Sequence, residues 1–195
     1  MDYNLYSKEG IMNLSYEEQL YQIMKDVQVM DDLKRVRELR LPQGCIAAGY
    51  VRNRVWDVLH EYKQYTPLHD IDVIYYDPDQ TDDWVDKQYE KQLESGQIRR
   101  NWQVKNQARM HEYNNRTTPY QSVEDAMRYW PETATAVAIR LNDQDEMEIV
   151  SPFGLQDLFE MNVRQSPYFL HTGLFKQRVF EKEWLDHWPL LILHG

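Results

Sequence analysis

Asp70-Ile71-Asp72 is the stretch whose residue types and spacing bear most directly on chemistry. In a strand, side chains two apart project to the same face, so these two carboxylates stand side by side. Held that way they repel one another unless a cation sits between them. Mg²⁺, or Mn²⁺ in its place, suits the pair, because Mg²⁺ takes one or two carboxylates and completes its shell with substrate phosphates. Acidic pairs on exposed strand faces are common, so the pair by itself fixes no function.

Its setting narrows the reading. Cys45-Ile46-Ala47-Ala48 is an apolar run short enough for a buried strand, and Gly49 closes it. Residues 50–60 follow as a helix, with Val51, Val55, Val58 and Leu59 on one side. A glycine at a strand-to-helix junction lets a ligand approach the backbone, and a helix N-terminus offers free N–H groups to phosphate. Arg52 and Asn53 fall in that first turn, a guanidinium and an amide for phosphate oxygens. The acidic pair then opens Asp70 to Tyr76, a β-rich run ended by Asp77-Pro78-Asp79.

The surrounding elements follow from periodicity and turn residues. Residues 15–40 read as one long helix, opened by the capping-box pair Ser15 and Glu18 and ended by Leu41-Pro42-Gln43-Gly44. Residues 81–95 are helix-compatible, and 101–106 read as a short strand with helical character resuming through Arg109 and Tyr113. Ser122 opens a short helix. Thr135 to Leu141 and Glu146 to Val150 flank Asn142-Asp143-Gln144-Asp145 as a β-hairpin. Helices from Gly154 to Asn162 and from Leu174 to Trp184 finish a fold of mixed α and β class. The expected organisation is a single domain over 1–195, with 1–14 an N-terminal extension and 168–195 a C-terminal helical appendage.

Composition sets outer bounds. The 195 residues carry 22 Lys+Arg against 32 Asp+Glu, a formal charge of -10, which argues against bulk DNA or RNA binding. A nucleotide whose charge is carried by a metal stays possible. Positive charge gathers in 99–116, at Arg99, Arg100, Lys105, Arg109 and Arg116, a basic wall for phosphate or a solvated face. Cys45, the single cysteine, reads as a small buried hydrophobe. No apolar run reaches membrane-span length, and Met1-Asp2-Tyr3-Asn4 lacks signal-peptide features, so a soluble, cytoplasmic protein is expected.

The blocks Gly49-Tyr50-Val51-Arg52-Asn53-Arg54-Val55-Trp56-Asp57-Val58-Leu59-His60 and His69-Asp70-Ile71-Asp72-Val73-Ile74-Tyr75-Tyr76-Asp77 resemble a family of bacterial nucleotidyltransferase-like proteins, within the DNA polymerase β-type superfamily. Val104-Lys105-Asn106-Gln107-Ala108-Arg109-Met110-His111 and Ser151-Pro152-Phe153-Gly154-Leu155-Gln156-Asp157-Leu158-Phe159 resemble it too. The resemblance implies an α+β fold, a small mixed sheet flanked by helices. It implies that Asp70 and Asp72 bind the divalent ions orienting an NTP for attack on its α-phosphate, with transfer of a nucleoside monophosphate to an acceptor the sequence does not name. Gly49, Arg52, Asn53, Lys105, Asn106 and Arg109 are the nucleotide-binding candidates. Tyr50 stands where the superfamily usually has Gly or Ser. The superfamily's third carboxylate has no counterpart in Trp102-Gln103-Val104-Lys105-Asn106, and Glu148 is its candidate replacement. The alternative function is a nucleotide-binding module of the same fold with impaired catalysis.

Overall fold

The computed structural model describes residues 13–95, 100–114 and 116–195, so Arg99 and nearly all of the expected N-terminal extension lie outside the described residues. Ser15 caps α1 (Tyr16–Met24) through the reciprocal box with Glu18. The long helix expected over 15–40 is two. Asp26 adopts extended backbone and accepts from the amides of Gln28 and Val29, starting α2 (Val27–Glu38). Apolar spacing runs on through Met24, Val27 and Met30, which hides the break from periodicity; Val27 itself is exposed.

A five-stranded sheet follows in the spatial order β3-β2-β1-β4-β5. β1 (Cys45–Ala47) leads into α3 (Gly49–Leu59), and β2 (Ile71–Tyr75) leads into α4 (Asp83–Glu94) and β3 (Trp102–Asn106). β2 and β3 are parallel; β1 pairs antiparallel with both β2 and β4 (Ala138–Leu141), which forms the expected hairpin with β5 (Met147–Val150). Short helices α5 (Met110–Tyr113) and α6 (Val123–Met127) lie between β3 and β4. The helix expected over 154–162 is only α7 (Gln156–Phe159), because Met161 takes positive φ and the chain turns into β6 (Asn162–Arg164). α8 (Thr172–Glu181) and α9 (Trp184–His187) are separated at left-handed Glu183, and β7 (Ile192–His194) closes the chain beside β6.

Strand alternation gives the sheet two unlike faces. Ile46, Ile71, Val73, Tyr75, Trp102, Val104, Ile139 and Leu141 belong to the large core, together with helical residues such as Leu33, Val55 and Trp56. Phe175, Val179, Trp184, Trp188 and Leu191 complete that same core, so segment 168–195 is packed into the domain. Trp56 lies 5.6 Å from Trp184 and 5.2 Å from Trp188. The other face carries a smaller cluster around Cys45, Ala47, Ile74 and Ala138, covered by Val123 and Met127 of α6. Burial pushes the Cys45 thiol up to about 12, as befits an inert core residue.

Candidate active site

Asp72 stands on this second face. In strand register its row reads Gln103, Asp72, Ala47, Ala138, Val150. Asp70, just before β2, is exposed, while Asp72 is partly buried. Burial first, and then the charge of Asp70, raise the Asp72 carboxyl to about 6 against the opposing pull of Arg52, Arg178 and Lys182. A carboxyl whose charge is disfavoured by burial and by a neighbouring carboxylate is a donor that a hard cation relieves.

The start of α3 adjoins that pair, since Ala47 is paired with Asp72 and helix follows two residues later. Ala48, at φ 55°, makes the sharp turn and gives α3 no side-chain cap. It is this residue, rather than Gly49, that adopts the strained conformation. A Cβ on Gly49 would meet Arg52 Nη2 at 3.7 Å and Asn53 Oδ1 at 3.8 Å, ordinary contacts. The chain's own packing therefore does not require glycine there.

Arg52 is buried, donating from Nη1 to Thr135 Oγ1 (2.9 Å) and from Nη2 to Asn53 Oδ1 (2.8 Å). Its guanidinium lies 4.2 Å over the Trp184 ring and 5.0 Å over Trp56. Burial draws its pKa down to about 10, opposed by Glu132, Asp72 and Asp70. Glu132, fully buried, accepts from Arg178 Nε at 2.9 Å. That pair anchors α8 to the domain, and Arg178 and Lys182, four residues apart, present charge toward Asp72.

Strand alternation divides the remaining candidates. Lys105 is in register with Ile74 and shares the face of Asp72. Asn106 is in register with Tyr75 on the opposite face, where it accepts from the amides of Asp77 and Ala108 and donates to the carbonyls of Asp77 and Gln80. Arg109 pairs with buried Asp86 of α4, which also accepts from Tyr75 Oη at 2.8 Å. The structure thus gathers Asp70, Asp72, Gly49, Arg52, Asn53 and, further along the face, Lys105. It holds Asn106 and Arg109 in a network behind the sheet. Among the described residues the basic run does not assemble into a wall: Arg100 pairs with Asp32, and Arg116 lies 3.8 Å over the Tyr129 ring.

Glu148 pairs with Arg140 at 2.7 Å on β5. Three strand spacings separate β5 from β2, roughly 14 Å, too far to share an ion with Asp72. Gln103 faces Asp72 from β3, and among the described residues no group of three or more His, Cys, Asp or Glu could hold a metal. Asp70 and Asp72 therefore fit an ion that takes its other ligands from substrate phosphates and water.

Residues 34–193 match the sequence model of a family described as Nucleotidyltransferase. The chain belongs to that family. A solved NMR structure that reveals a CCA-adding enzyme head domain is 32% identical to this nucleotidyltransferase, with a TM-score of 0.82, covering 95% of this chain and 100% of that one. The Thermotoga maritima CCA-adding enzyme complexed with tRNA is 15% identical, with a TM-score of 0.55 over 91% of this chain and 42% of that one. A CCA-adding enzyme in complex with CTP is 14% identical, with a TM-score of 0.55 over 93% and 44%. This chain thus spans less than half of those two enzymes, and they share its fold. No curated protein sequence matches it. Among the described residues, no helix is long and apolar enough to cross a membrane.

Sequence reasoning missed Glu132, Thr135, Arg178 and Lys182. Only the i, i+4 spacing of the last two on an expected helix was visible, and nothing local links that helix to Asp72.

Proposed function

We propose that the protein transfers a nucleoside monophosphate from an NTP to an acceptor hydroxyl, with Asp70 and Asp72 holding Mg²⁺ or Mn²⁺. The observation that carries this reading is the carboxylate pair set against the uncapped start of α3, in a chain of the nucleotidyltransferase family. When bound, the ion supplies charge neutralisation at the α-phosphate and the departing pyrophosphate. The amides at Gly49 and Tyr50 and the Arg52 guanidinium bind phosphate oxygens. Arg178 and Lys182 face the same space from α8 and take polyphosphate charge that the two carboxylates would otherwise repel. The acceptor oxygen attacks the α-phosphorus, the bond to the β-phosphate breaks, and pyrophosphate leaves. Exposed Asp70 passes the hydroxyl proton to water.

Solved relatives that hold tRNA and CTP support an RNA 3′ hydroxyl as one acceptor class. The net charge of -10 favours short contact with a terminus over binding along a duplex. The lack of a third metal-binding carboxylate among the described residues favours a second reading, a nucleotide-binding module. Labelled NTPs with Mg²⁺ or Mn²⁺ and a panel of acceptors separate the two. Transfer with pyrophosphate release, reduced about 100-fold or more in Asp70→Asn and Asp72→Asn, is the expected result. Metal-dependent NTP binding with no release over the whole panel would establish the binding module. Transfer unchanged in both variants would remove the metal assignment.

A further inference from the structure

A cavity of about 390 Å³ opens beside Asp70, and most of its lining has no part in the chemistry above. Asn53, Arg54 and Asp57 of α3 form one wall, and Tyr65 and Asp70 belong to the segment opposite. Asn53 and Asp70 also border the nucleotide site, so the two spaces adjoin. The volume falls within the usual range for small-ligand sites.

The hydrogen-bonding capacity left over in this cavity indicates what it takes. Asp57 is committed, accepting from Thr66 N and Oγ1 at 2.7 Å each and from Trp188 Nε1 at 2.8 Å. Arg100 is committed to Asp32. Arg54 differs: it is 8% exposed, and its buried Nη1 has no hydrogen-bond partner. Asp26 caps α2 through Oδ1, and its Oδ2 lies 4.0 Å from Arg54 Nη1, a long ion pair beyond hydrogen-bond reach. The Arg54 guanidinium sits 4.1 Å over the Tyr65 ring, which holds it flat against the wall. Asn53 Oδ1 accepts from Arg52 Nη2, which leaves the Asn53 Nδ2 donor. Apart from Asp70, whose exposed carboxylate lies on the side of the metal pair, the unmet group is a donor, and a buried guanidinium with an unmet donor matches an oxyanion.

We infer that this cavity is the acceptor subsite and that Arg54 seats a phosphate of the acceptor, placing the acceptor hydroxyl at Asp70. The inference rests on the nucleotidyl-transfer reading. The phosphate belongs either to a small phosphorylated alcohol or to the last linkage of an RNA end.

Calorimetric titration of the full chain, saturated with a non-hydrolysable NTP and Mg²⁺, tests it. The probes are inorganic phosphate, ribose 5-phosphate, a nucleoside 5′-monophosphate, a trinucleotide with a free 3′ hydroxyl, and plain ribose. At least one organic phosphate binds without displacing the NTP analogue, and ribose does not bind. Arg54→Gln weakens that binding tenfold or more, Arg54→Lys weakens it less, and the NTP analogue binds all forms equally. Preference for the trinucleotide identifies an RNA end, and preference for a monoester identifies a small molecule. The titrations are repeated without nucleotide, so a failure of NTP binding counts against the nucleotidyl reading alone. Should Arg54→Gln not fold, Tyr65→Ala, which removes the ring under the guanidinium, serves instead, with several-fold weakening expected. Phosphate binding unchanged in the variants, competition with the NTP analogue, or no phosphate binding at all overturns the proposal.

Discussion

In the proposed site Arg178 and Lys182 would contribute through charge, and they differ in what else they do. Arg178 is held by Glu132, so replacing it also strands a buried carboxylate. Lys182 is exposed and has no ion pair among the described residues, so its removal is the cleaner test. Lys182→Gln is expected to raise the dissociation constant for an NTP several-fold, with a shallower salt dependence and little effect on a nucleoside monophosphate. Arg178→Gln should lose about tenfold and also lower the melting temperature. Fluorescence titration at two ionic strengths checks both. Asp70 and Asp72 could be picked as candidates from the sequence because their spacing is local, and β2 begins at Ile71 between them. Arg178 was not, because more than 100 residues separate it from Asp72 and only the folded core brings α8 across.

At the level of elements, β3 shows what residue patterns reveal and what they hide. Lys105, Asn106 and Arg109 fall in one contiguous block of family resemblance, yet a strand sends neighbours to opposite faces. Lys105 shares the face of Asp72, while Asn106 and Arg109 secure α4 and the loop after β2. α4 also seals the exposed side of β3: Val104 N donates to Glu90 at 3.1 Å and Asn106 N to Asp86 at 3.3 Å. Carboxylates thus satisfy amides that would otherwise be open on an edge strand. Asp86 is fully buried and serves Tyr75, Asn106 and Arg109 together. Asp86→Ala should therefore destabilise the protein by about 3–5 kcal/mol, because it leaves a largely buried arginine unpaired. Urea unfolding measures this, and NTP affinity should change little in the fraction that remains folded.

For the whole molecule, mixed α and β class was readable from alternating patterns, and the strands carrying the site were placed correctly. The status of the C-terminal segment was not readable, since its helix pattern carries no sign of what it packs against. Phe175 and Val179 are buried in the main core, Trp188 donates to Asp57, and Arg178 clasps Glu132. Losing one buried aromatic residue costs about 3–5 kcal/mol, and a domain's total stability is only about 5–15. A chain ending at residue 167 should therefore show no cooperative thermal transition and expose apolar surface to a hydrophobic dye. A sharp melt of that truncated chain would mean that the segment is dispensable.

The packing of Trp56 against Trp184 and Trp188, with the Arg52 guanidinium over two of those rings, has an optical consequence. Three indoles this close share excitation, and the cation lying on them shifts their emission whenever its own surroundings change. Since Arg52 also borders the proposed triphosphate site, occupancy there is coupled to the protein's intrinsic colour in the ultraviolet. The molecule carries its own reporter, with no label attached.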